Sequence, residues 1–241
     1  MDQFLELRIV SALLLPMMAS AILFTGLTIA LLFAKAKIYR IPVYRPMLLN
    51  LGLAWIPIIC VWIALGFFLT QTAHGIGITI LLLCIWFVFF PNSTYLVTEF
   101  HHLKDDKNNV PFWFDTIVIL SLALCGLMLG SFSLLLVHRL LQNFLPNLWT
   151  WLIFIAYLYL SNVGIYIGRF IRFNSWDIVT KPVTMLKWGI EIFKDRTKLR
   201  TISLFASLYT VFLLAFYLFL YSAVDPVSRL LDVLVREHLI K

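Results

Sequence analysis

Six long apolar runs leave this chain little choice of fold. They cover about residues 9–33, 46–70, 75–96, 112–136, 148–168 and 202–223. Each approaches or exceeds the roughly 20 residues that a bilayer core requires. In lipid every backbone N–H and C=O must be paired within the protein, so runs of this length read as helices. Charged residues make up only 13% of the chain and mean hydropathy is +0.95, about half the charged fraction of a soluble domain. The expected fold is all-α, a polytopic membrane helix bundle with six transmembrane helices plus amphipathic interfacial helices. With no internal repeat and no low-complexity segment, residues 1–241 read as a single integral membrane domain.

The basic residues then orient the bundle. Lys35, Lys37, Arg40 and Arg45 follow the first span, and Lys104 and Lys107 follow the third. Eight more, from Arg169 to Arg200, follow the fifth, which puts fourteen of the nineteen on one side. By the positive-inside rule that side is cytoplasmic and both termini lie outside. The formal charge of +7 is thereby a topology signal. Nucleic-acid binding is not expected, because the basic residues are split among loops and no reader motif is present. The opening MDQFLELR has acids where a signal peptide needs bases, so the first run reads as a retained span. Cys60, Cys84 and Cys125 all fall inside spans without metal-binding spacing, and read as buried thiols.

Two stretches carry most of the polar chemistry. The first is FFPNSTYLVTEFHHL, residues 89–103. If it is α-helical throughout, Asn92, Tyr95, Glu99 and His102 recur at spacings of three, four and three and form one polar stripe. Such a stripe must face other helices or a wet cavity, since an unpaired polar group in lipid costs several kcal/mol. The second is SNVGIYIGRFIRFNSWD, residues 161–177. Here Asn162, Tyr166, Arg169 and Phe173 form a similar stripe that thickens toward the cytoplasm.

Local signals fix the remaining expectations. The link QTAHG is tight, so spans two and three form an antiparallel hairpin. Pro111 suits the start of span four, and the helix dipole favours Asp115 in its first turn. Gly126 and Gly130 in span four, like Gly164 and Gly168 in span five, have the GxxxG spacing that lets helices approach closely. Spans four and five are therefore expected to pack together. Residues of about 183–198 read as an amphipathic interfacial helix. From Asp225 a new helix is expected over about 226–240, with Asp225 as its cap and Pro226 at its first position.

Depth brings the ionisable groups to one level. Glu99 and His102 close span three, Asp115 opens span four, and Arg169 and Arg172 close span five. Ionisable groups at such positions are functional candidates. Arg169 and Arg172, with Asn174, Ser175 and Trp176, offer donors suited to a phosphate or carboxylate. In a bilayer the natural ligand is a phospholipid or polyprenyl-phosphate headgroup, with Glu99, His102 and Asp115 orienting the arginines or gating access. The bland alternative is that Glu99 and Asp115 pair with the arginines and pin three helices together. A second alternative is a divalent metal held by Glu99, His102, Asp115 and Asp177 in a membrane hydrolase or transferase. Adjacent His101 and His102 point about 100° apart on a helix, which weakens that donor set. A transporter or transport subunit is a third reading, for which mid-membrane polar groups are few. No Ser-His-Asp order, P-loop or dinucleotide turn is present. Expected partners are membrane lipids, with a second copy of the chain or another membrane protein as the alternatives, and a homo-oligomer as the form the former would take.

The same two stretches resemble the bacterial membrane family called domain of unknown function 1361. The matching residues are Pro91-Asn92, Tyr95-Leu96, Thr98-Glu99, His102-Leu103, Trp113 and Asp115, then Gly168-Arg169-Phe170, Arg172 and Asn174-Ser175-Trp176-Asp177. The family pattern usually has Asp where this chain has Glu99, a swap that lengthens the carboxylate's reach. The resemblance implies a small multi-pass protein of the bacterial cytoplasmic (plasma) membrane and supplies no reaction.

Overall fold

The computed structural model describes residues 2–104, 110–171 and 195–239, with side chains described over 16–100, 110–170 and 195–224. Every regular element among them is helical. In order these are α1 (Asp2–Tyr39), α2 (Arg45–Phe68), α3 (Ala73–Tyr95), a 3-10 segment (Leu96–Lys104), α4 (Phe112–Gln142), α5 (Asn147–Tyr166), a π-helical segment (Ile167–Ile171) and α6 (Arg196–Leu239). Among the described residues, six helical stretches are long and apolar enough to cross a bilayer, matching the six expected spans. The protein is a multi-pass membrane protein.

The chain divides into two compact units, Met1–Asn147 with Phe216–Lys241, and Leu148–Ala215. In the first, α4 is the most buried helix and packs against α1, α2, α3 and the 3-10 segment. Its glycines explain part of this. A Cβ on Gly126 would collide with the Ser93 carbonyl oxygen and lie 2.8 Å from Leu96 Cβ, and one on Gly130 would lie 3.1 Å from Thr94 Cγ2. The α4 glycines thus face α3 and the 3-10 segment. Nothing among the described residues lies within 4 Å of where a Gly164 Cβ would be. Small residues permit an approach without choosing the partner.

The α2–α3 hairpin is as expected. Thr72 caps α3 by accepting from the Gly75 N–H at 3.0 Å. Ser93 Oγ donates to the Ala54 carbonyl at 2.7 Å, a hydroxyl on α3 bonded to the α2 backbone. Three boundaries differ from expectation. Helix α1 runs on to Tyr39, so Lys35 and Lys37 are helical, not loop residues. The α-helix of span three stops at Tyr95 and tightens to a 3-10 helix. Helix α6 continues through Asp225 and Pro226 to Leu239, with no new start at the proline. Proline removes only one backbone donor, a small fraction of the bonding in a helix of 44 residues. The amphipathic segment at 183–198 lies mainly outside the described residues.

Candidate functional site

Chain reversal at each short connection brings the C-terminal end of α1, the start of α2, the 3-10 segment and the start of α4 to one end of the first unit. Two buried carboxylates sit there. Glu99 is 1% exposed, and Asn50 Nδ2 of α2 donates to its Oε1 at 2.9 Å. Asp115, in the first turn of α4, pairs with Lys35 of α1, Nζ to Oδ1 at 2.6 Å. Their side chains are 7% and 23% exposed respectively. Lys35 extends a long apolar stem from a membrane helix and delivers its ammonium near the boundary, as snorkelling lysines do.

The 3-10 turn accounts for the burial of Glu99. With three residues per turn, side chains three apart line up. Leu96 and Glu99 share one edge, both are buried, and the segment packs mainly on α4. The single stripe expected from Asn92 through His102 therefore breaks after Tyr95. Asn92 and Tyr95 belong to α3 and are half-buried. His102 falls on the same 3-10 register as Glu99, and its side chain is outside the described residues.

In the second unit, α5 and α6 are tied by polar contacts, one of them fully buried. Asn162 Nδ2 donates to Thr210 Oγ1 at 2.9 Å, and Tyr159 Oη meets Ser203 Oγ at 2.9 Å. Arg169 follows, half-buried, in the π-helical segment. Single π turns inside helices recur at functional sites because they re-aim side chains that an α-helix would place elsewhere. At the same end of this unit α6 begins with exposed Arg196, Lys198 and Arg200. Asp195 caps it, its Oδ1 accepting from the N–H of Thr197 at 3.0 Å and of Lys198 at 3.2 Å. The Lys198 N–H first, then the Thr197 N–H and the Lys198 ammonium, hold the Asp195 carboxyl below its ordinary range. Arg172, Asn174, Trp176 and Asp177 lie outside the described residues.

The sequence reading missed the partners of both carboxylates. Lys35 counted only toward topology, and Asn50 stands 49 positions from Glu99. It also missed His138, fully buried at the far end of α4, whose Nδ1 meets Tyr217 Oη at 2.6 Å. The polar stripe Gln142, His138 at four-residue spacing was the available signal.

Comparison with known proteins gives one family. A family model described as "Protein of unknown function (DUF1361)" matches residues 49–221. The match runs from the start of α2 to the membrane part of α6 and includes Glu99, Asp115 and Arg169. No curated protein and no solved structure matches the chain.

Proposed function

We propose that this chain, which belongs to the DUF1361 family, binds an anionic lipid headgroup or small anion at the basic end of its second unit. The observation that carries the reading is Arg169, half-buried in a π-helical segment that closes a membrane span, with Arg196, Lys198 and Arg200 starting the next span at the same end. A guanidinium at that depth matches phosphate oxygens bidentately in surroundings less screened than bulk water. Arg172, Asn174 and Trp176 complete the set from the sequence. On this reading the protein lies in a bacterial cytoplasmic membrane, with basic connections inward and both termini outside.

The experiment is a titration of purified full-length protein with dioctanoyl phosphatidylglycerol and, separately, dioctanoyl phosphatidylcholine. Preference for the anionic lipid that falls in Arg169→Ala and Arg172→Ala supports the proposal. Equal affinity for the two lipids in the wild type removes it. The metal-dependent hydrolase reading draws less support, because the Lys35 ammonium already neutralises Asp115, one of its donors. Stoichiometric metal on purified protein that is lost in Glu99→Gln would reverse that ranking.

A further inference from the structure

Beside Arg169 the second unit carries a ladder of five aromatic rings. Tyr166 and Phe170 lie 4.8 Å apart by ring centroids, and Phe205 of α6 sits 5.3 Å from Tyr166 and 5.6 Å from Phe170. Along α6 the series continues from Phe205 to Tyr209 at 5.4 Å and from Tyr209 to Phe212 at 6.1 Å. The rings within each of these last two pairs are inclined by only 23° and 18°. Positions 205, 209 and 212 share one helix face and span about 10 Å along the axis. The ladder is not sealed in the core. Phe170 is 48% and Phe212 is 46% exposed, and the rings between them are half-buried. It starts at the basic end, with Phe170 next to Arg169 in the chain and Phe205 five residues after Arg200, and runs toward the membrane interior.

We infer, resting on the headgroup reading above, that the ladder receives the first units of an isoprenoid chain, so that the ligand is a polyprenyl phosphate. The charge and the ladder meet end to end, which fits a phosphate attached directly to a single chain. A diacyl phospholipid has two tails and a glycerol between charge and chain. Ring faces are electron-rich and attract weakly positive C–H edges. An isoprenoid chain presents a methyl branch and allylic C–H groups on every unit, a repeat that successive rings can meet in turn. A saturated acyl chain has no such repeat, and plain helix packing needs no ladder open to lipid at both ends.

The test uses the full chain in phosphatidylcholine nanodiscs, titrated with a polyprenyl monophosphate and with a straight-chain alkyl monophosphate of the same number of chain carbons. The wild type should prefer the polyprenyl phosphate by about tenfold, equivalent to about 1.4 kcal/mol. In Tyr209→Leu and Phe212→Leu that preference should fall toward unity while alkyl phosphate affinity stays unchanged, which also shows that the variants are folded. If the wild type binds both phosphates equally, or the preference survives in both variants, the isoprenoid inference is overturned and the headgroup reading stands. If the wild type binds neither, both fall. The wild-type ratio decides the matter even where a variant is lost to misfolding.

Discussion

Replacing Lys35 with Met keeps an apolar stem in place of the lysine but leaves the Asp115 carboxylate without its ammonium partner. Breaking one side of a buried ion pair typically costs about 3–5 kcal/mol, because the other charge stays desolvated. Asp115 has a side-chain exposure of 7%, so its ionised form has little water to fall back on, whereas Lys35 at 23% is partly wetted. The lower end of the range applies, about 3 kcal/mol, or roughly a hundredfold in the folded-to-unfolded ratio. The double variant Lys35→Met with Asp115→Leu removes both charges and should recover about 2 kcal/mol or more of that loss. Equilibrium unfolding in mixed micelles, run on wild type, both single variants and the double, measures the coupling directly. The reasoning is refuted if Lys35→Met lies within about 0.5 kcal/mol of wild type, or if the double variant loses the sum of the two single changes.

Three further outcomes are expected. Gly126→Ala should destabilise by about 1–3 kcal/mol, since its methyl meets the Ser93 carbonyl and Leu96 Cβ; Gly130→Ala, which meets a Thr94 methyl, should be much milder in the same unfolding assay. Asn50→Leu removes the donor to Glu99 Oε1 and should cost about 1–3 kcal/mol, a loss that Glu99→Leu in the same chain should largely relieve. Asp195 has its folded carboxyl value lowered, so its stabilisation of the first turn of α6 is complete above the ordinary carboxylate range. The melting-temperature difference between wild type and Asp195→Ala should therefore be full at neutral pH and shrink as pH falls below that range; a difference that grows in acid would contradict the cap.

The spans were legible because length and hydropathy act locally, and a bilayer permits few alternatives to a helix. What the sequence hid was pairing and pitch. Lys35 looks like a loop cation until α1 is seen to carry it, helical, to Asp115 eighty positions on. Nothing in LVTEFHHLK distinguishes a 3-10 from an α turn, yet that difference sets which edge Glu99 shares with Leu96. The GxxxG spacing of α4 was visible, but not that its glycines would meet Ser93 of α3 and Leu96 of the 3-10 segment. Asp225-Pro226 has the chemistry of a helix start, and the length of α6 overrode it. Of the candidate site, the buried carboxylates and Arg169 were legible as chemistry, while Asn50 and Lys35 were not, since partners distant in sequence leave no local pattern.

The proposed anion site rests above all on the guanidinium in the π-helical segment. Native mass spectrometry of the full chain, released from nanodiscs of equal phosphatidylglycerol and phosphatidylcholine, tests it most directly. Loss of a charge-assisted contact of about 1.5–3 kcal/mol should reduce phosphatidylglycerol retention by roughly ten- to a hundredfold in Arg169→Ala, with Arg169→Lys intermediate and phosphatidylcholine retention unaltered. Equal retention of phosphatidylglycerol by wild type and Arg169→Ala would contradict it.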